Sequence, residues 1–182
     1  MIKKGNLLIS EPTVFSDQNF NRSVILLVDH SNSGSVGFVL NKKSEYLSKE
    51  LIPQLEYEFP IYNGGPVQQE NLYFIHNKPN LISNSLKITN EMYWGGDFSS
   101  VINLISEKKI KTNEIKFFLG YSGWDSGQLE NEINSSYWIV KNKDVNFQLI
   151  LKNCNNIWKD NLIKLGGDYL IWSNSPENPN HN

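Results

Sequence analysis

The residues whose types and spacing suit chemistry converge on 120–128, where Gly120, Gly123 and Gly127 frame Tyr121, Ser122, Trp124 and Gln128. An apolar run that meets a glycine turn and opens a helix is a place where enzymes hold anions or nucleophiles, because unpaired amides and the helix dipole converge there. A nucleophile elbow requires Gly-x-Ser-x-Gly so that the helix can approach behind the serine, and Trp124 stands where the last glycine belongs. A phosphate-binding loop must end in Gly-Lys-Ser/Thr, and no lysine follows Gly127. Ser122 therefore reads as a turn hydroxyl bonded to its own backbone. A hydrolase-like enzyme with Ser122 or Ser23 as nucleophile is the alternative.

The other reactive side chains are few. His30 and His76 each stand where an apolar run gives way to a turn, and His181 lies near the C-terminus. Combined with Asp97 or Glu130 they lack His-x-x-x-His or His-x-His spacing, so they read as loop histidines, exposed or partly packed, and no metal or other cofactor is expected. A triad can be drawn from Ser23 or Ser122, His30 or His76, and Asp97 or Asp125, but triads are defined by geometry and the residue types alone carry no weight. Cys154 is the single cysteine, which excludes an intramolecular disulfide and a multi-cysteine zinc site. With only Lys152 as a nearby cation it reads as a buried, unactivated thiol and fits a reduced, cytoplasmic setting. Arg22 directly precedes the apolar run Val24–Val28. At a sheet rim its guanidinium could clamp an anion beside a glycine turn, although a structural bridge to Glu130 or Asp97 is the preferred reading.

The elements that must position these residues follow from periodicity. Ile115, Phe117 and Leu119 alternate as a strand with a core face, ending at the glycines. Beyond the turn, Asp125 and Gln128 can satisfy each other's backbone amides as a capped helix start, with the helix running to about Asn134. Gly5–Ile9 reads as a short strand, and Val24–Val28 with Val36–Leu40 as an antiparallel hairpin joined by about five residues from His30 to Gly34. Ser48–Leu55 allows one or two helical turns before Pro53 intervenes. Pro60–Tyr62 leads into a second glycine turn, Asn63-Gly64-Gly65-Pro66, and Leu72–His76 is the next strand, followed by weak strands at Leu86–Ile88 and Met92–Trp94. Asp97 caps a helix whose Phe98, Val101, Ile102 and Ile105 share one face. Tyr137–Val140 and Val145–Ile150 read as strands around a polar turn at Lys141–Asp144. Asn156–Leu165 reads as an amphipathic helix stopped by Gly166-Gly167.

Gly120-Tyr121-Ser122-Gly123-Trp124, continued by Gly127-Gln128-Leu129-Glu130 and Glu132, resembles the signature GYAGWGPGQLExE of the AlgH/YqgE family. Gly5–Ile9, Phe20–Val24, Gly37–Asn41, Tyr62–Val67 and Leu165–Tyr169 resemble further family segments in the same order, so the likeness spans nearly the whole chain. The family is bacterial and cytosolic and is sometimes labelled a transcriptional regulator, with no established enzymatic reaction. The resemblance implies a binding or regulatory protein.

Length and charge agree with a single domain. A chain of 182 residues can bury roughly two-thirds of its unfolded surface in one core, and its hydrophobic content of 39% supplies the side chains for it. Lysine and arginine total 17 against 19 acidic residues, with no basic run longer than Lys108-Lys109, which disfavours direct nucleic-acid binding. The apolar Leu7-Leu8-Ile9 run is too short for a signal-peptide core or a membrane span. The expected fold is α+β: one compact domain over 1–172 with a largely antiparallel, bent β-sheet, about three to four helices, and a flexible tail over 173–182. The expected activity is non-enzymatic binding of a protein partner or small ligand at Arg22, Asn41, Gly64, Gly65, Pro66, Tyr121, Gly123, Trp124 and Gln128. A nucleic-acid-associated transcriptional regulator is a further alternative.

Overall fold

The structure is a computed structural model and describes residues 2–55, 57–142, 145–151 and 155–175. Among them the chain forms β1 (Leu7–Ser10), a 3-10 turn at Pro12–Val14, β2 (Val24–Ser31), β3 (Gly34–Val39), β4 (Lys43–Leu47), α1 (Ser48–Leu51), β5 (Pro60–Asn63) and β6 (Val67–His76). It continues with β7 (Leu86–Lys87), β8 (Tyr93–Trp94), α2 (Phe98–Ser106), β9 (Ile115–Asp125), α3 (Gln128–Asn134), β10 (Trp138–Lys141), α4 (Phe147–Leu151), α5 (Ile157–Leu165) and α6 (Tyr169–Ser173).

The strands make one sheet in the order β10-β1-β2-β3-β9-β6-β8-β7, with β5 placed against β9 and β4 on the outside of β5. Neighbours are antiparallel except β5 and β9. The fold is α+β, as the clustering of strands in adjacent pairs predicts. Among the described residues six helices accompany the strands, more than expected, because α1, α4 and α6 are only four or five residues long.

Period-two alternation gives both faces of the sheet a core. On β9, Phe117 points with Phe74 and Ile61 toward Val101 and Ile105 of α2. Its neighbour Phe118 points the other way, into a cluster with Phe38, Leu26, Trp158 and Leu162 that α4 and α5 cover. Leu8, Ile25 and Leu27 are out of phase with Leu7, Ile9 and Leu26 and pack with Trp124, Trp138 and Leu129 of α3. Burial on both faces explains why β2 reads as continuous Val-Ile-Leu-Leu-Val. Each fully buried Phe or Leu contributes about 1.5–3 kcal/mol by removal from water.

Several expectations are corrected. The glycine segment after Leu119 is no turn: β9 runs through it to Asp125, with Gly120 at φ 64 inside the strand. Helix α3 is therefore capped by Gly127, at φ 74, and not by Asp125, although the Gln128 side chain does reach back to the Asp125 amide at 2.9 Å. The β2–β3 loop is tighter than expected, since Ser31 already pairs with Gly34. Val145–Ile150 is not a strand: Asn146 accepts the Leu149 amide and starts α4, which buries Phe147 and Ile150 on one face. Ser173 is the last residue of α6 and is buried. Lys152, Cys154, His181, 143–144 of the expected polar turn, and the tail from 176 lie outside the described residues.

Candidate functional site

The signature segment is built around close backbone contact. Gly64 and Gly65 lie flat against β9 where its partner changes from β5 to β3: the Gly64 amide donates to Leu119 O at 2.7 Å, and its carbonyl accepts the Val39 amide at 2.9 Å. A Cβ on Gly64 would stand 2.3 Å from Gly120 O, and one on Gly65 2.3 Å from the Tyr121 carbonyl. The two glycine segments thus meet inside the sheet. Ser122 is fully buried and donates to Gly64 O at 3.0 Å, and Ser23 is also fully buried, its hydroxyl 3.3 Å from Asn19 O. Neither serine faces solvent.

The aromatic and acidic members of the signature are equally committed. Trp124 is buried and donates its indole N–H to Glu132 at 2.8 Å; Trp138 donates to the same oxygen at 2.7 Å, and Gln128 donates to the other at 2.8 Å. Tyr121 is half-buried, edge-on to Tyr73, and with Gly123 and Trp124 it lines a shallow cleft of about 360 Å³ beside Val36 and Val67. Pro66 and Gln128 are exposed. The nine candidate residues therefore do not form one surface.

Arg22 and Asn41 do belong together. Arg22 holds a left-handed backbone, φ 53, and Asn41 pins it from both sides: Nδ2 donates to Arg22 O at 2.8 Å, and Oδ1 accepts the Val24 amide at 2.9 Å. The guanidinium lies 5.0 Å from the Trp158 ring centre and donates to Ser175 O at 2.8 Å. The bridges to Glu130 and Asp97 are not what the two acids make: Glu130 faces His30 at 3.7 Å, and Asp97 caps α2 through the Ser99 amide. Arg22, Asn41, Lys42, Asn156, Trp158 and Lys159 border a cleft of about 540 Å³. Lys42 also borders a second cleft of about 360 Å³ with Asn63, Gly65 and Tyr46. That adjacency makes the Lys42 corner the candidate site.

Electrostatics at this corner are organised by Asp17. Burial by itself raises the Asp17 carboxyl, but hydrogen bonds from Tyr137 at 2.5 Å and from the Phe20 and Asn19 amides, with the nearby charge of Lys42, hold it below the usual carboxylate range. Lys42 is lowered in turn, chiefly by burial against the attraction of Asp17, and donates to Gln18 O and Asn19 O at 3.0 and 2.7 Å. Lys42, Trp158 and Lys159 escaped the sequence reading. The one local signal for Lys42 was its position directly after the motif residue Asn41.

The histidines differ from expectation. His76 is not a loop residue; it is fully buried at the end of β6, and burial depresses its pKa to about 4. His30 sits 2.8 Å from the Ser35 hydroxyl. Among the described residues no group of three or more His, Cys, Asp and Glu could hold a metal ion, and no helix is long and apolar enough to cross a membrane.

Comparison with known proteins places these features in a family. A UPF0301 protein of Cytophaga hutchinsonii is 40% identical over 185 residues, covering all of both chains, and one of Parabacteroides distasonis is 40% identical over 97% of this chain and 89% of its own. Protein DIP2367 of Corynebacterium diphtheriae superposes with TM-score 0.77 at 20% identity, covering 96% of this chain and 93% of its own, which shows the shared fold. The solution structure of AlgH from Pseudomonas aeruginosa, UPF0301, superposes with TM-score 0.70 at 25% identity over 95% and 94% of the two chains. The family model DUF179, AlgH-like, matches residues 7–170, and the chain belongs to this family.

Proposed function

We propose that this chain is a cytoplasmic binding and regulatory protein with no reaction of its own, and that it engages its ligand at the Lys42 corner. The observation that carries this reading is the contrast between the two sets of polar residues. The serines that could act as nucleophiles, Ser23 and Ser122, are buried and committed to backbone carbonyls. The polar residues that open onto the clefts include Arg22, Asn41, Lys42 and Asn63, an arrangement suited to holding a ligand. The formal net charge of -2 favours a small ligand or protein partner over a nucleic acid at this surface.

The test is thermal unfolding of wild type and Lys42→Ala against a library of metabolites and nucleotides, since a ligand of the native state raises apparent stability. A compound that stabilises wild type and leaves a folded Lys42→Ala unaffected is the expected result. Labelling by a fluorophosphonate that disappears in Ser23→Ala or Ser122→Ala would instead establish the hydrolase reading. Salt-sensitive retention on DNA would establish the nucleic-acid reading.

A further inference from the structure

We propose that the larger cleft at this corner, between the entrance of β2 and the start of α5, binds a soluble small molecule through a phosphate group. The proposal rests on the binding reading and names its ligand class. The cleft measures about 540 Å³, within the roughly 300–1,000 Å³ of small-molecule sites. Its cationic lining is Arg22, Lys42 and Lys159, and no carboxylate stands among the described lining residues, in a chain whose acidic groups outnumber its basic ones. The remaining polar lining is asparagine, whose amides can donate to phosphate oxygens or to the hydroxyls of a sugar.

Arg22 is the fixed point of the site. Its left-handed backbone is an uncommon conformation for a residue with a side chain, and it persists because Asn41 bonds the carbonyl of Arg22 and the amide of Val24 together. The guanidinium is then held over the Trp158 ring, with Nη2 on Ser175 O, so that a planar fork of donors is oriented before any ligand arrives. Lys42 is anchored in the same way by two backbone carbonyls, which take two of the three donors of an ammonium. Exposed Lys159 supplies the third positive charge from the first turn of α5, whose dipole has the same sign. Several cations converging on one cleft suit a phosphate dianion better than a single carboxylate, because charge-assisted bonds to each oxygen add. The volume left over accommodates the body of a sugar or similar group.

The experiment measures Tm of the full chain with inorganic phosphate, with glucose 6-phosphate and with glucose, each against sodium chloride at equal ionic strength. Saturable stabilisation by phosphate and glucose 6-phosphate, absent with glucose and chloride, is expected, and Lys159→Glu should weaken the apparent affinity about tenfold or more. Arg22→Gln should abolish it. If Arg22→Gln fails to fold, Lys159→Glu decides alone, since that side chain is exposed. Stabilisation equal to that of chloride, or unchanged in Lys159→Glu, overturns the proposal. If phosphate gives no such stabilisation, a library compound that binds wild type and not Lys42→Ala would preserve the broader binding reading while this one falls.

Discussion

Trp124 and Glu132 are joined by an indole-to-carboxylate hydrogen bond of 2.8 Å, and the same oxygen accepts Trp138 at 2.7 Å. One carboxylate on α3 thereby closes the polar atoms of two buried indoles, one on β9 and one on β10. The spacing of Trp124 and Glu132 in the signature follows from this: the strand must end and the helix must complete its first turn before a carboxylate can return over the indole. Glu132→Ala leaves two buried donors unpaired and should cost about 2–4 kcal/mol, whereas Glu132→Gln keeps an acceptor and should cost less than half of that. Urea denaturation followed by tryptophan fluorescence measures both. Equal losses in the two variants would mean that the hydrogen bonds are not what the residue contributes.

Gly64 and Gly127 form a second contrast. A Cβ at Gly64 would meet Gly120 O at 2.3 Å and Phe118 Cβ at 3.0 Å, so backbone in the middle of the sheet would have to move. Gly64→Ala should therefore destabilise by about 3 kcal/mol or more and deplete soluble protein. At Gly127 nothing lies within 4 Å and only its φ of 74 opposes a side chain. Gly127→Ala should cost about 1 kcal/mol. Similar midpoints for the two variants in chemical denaturation would contradict this account.

The difference between these glycines also explains how far the sequence could be read. Strands β2 and β3 are legible as short apolar runs bounded by a turn, and helix α2 by its periodicity and its own cap at Asp97. Glycine is locally a breaker, so β9 was expected to stop at Gly120. It continues because Gly64 and Gly65, distant in sequence, lie against its backbone and leave no room for side chains. Helix α4 is disguised for the opposite reason: Val145, Phe147 and Leu149 alternate like a strand, while burial selects Phe147 and Ile150, three apart. Asn146 was the available sign of a helix start. Arg22 and Asn41 stood out as motif residues, but their relation is a pair of side-chain bonds across the β2–β3 hairpin. Lys159 and Trp158 reach the same cleft only through the packing of α5 on the sheet.

Asn41 borders the cleft and should also act on a ligand indirectly, through the backbone of Arg22. Removing its side chain frees the Val24 amide and the Arg22 carbonyl together, at a part-buried position. Asn41→Ala should cost about 2 kcal/mol of stability. It should also weaken phosphate binding at temperatures where the variant is still folded, because the guanidinium is no longer held in place. Loss of stability without loss of affinity in Asn41→Ala would make the residue purely structural.

His76 sets the last expectation, a dependence of stability on pH. Its Nδ1 accepts the Lys78 amide at 3.0 Å, its ring stacks on Tyr93, and the backbone of Gly95 only partly offsets the effect of burial. Burial holds the folded pKa at about 4, against 6.5 for the unconstrained side chain. Between these values the unfolded chain binds the proton and the folded chain does not, so stability falls as pH drops from about 6.5 toward 4 and is constant above that window. A depression of this size corresponds to about 3 kcal/mol in total. His76→Asn, whose Oδ1 can still accept the Lys78 amide, should be less stable at neutral pH through lost packing but should lose less stability between pH 6.5 and 5, where the lowered carboxylates such as Asp17 add little. Urea midpoints at a series of pH values from 7 to 4 compare the two proteins, and parallel curves would show that the histidine titrates no differently when folded.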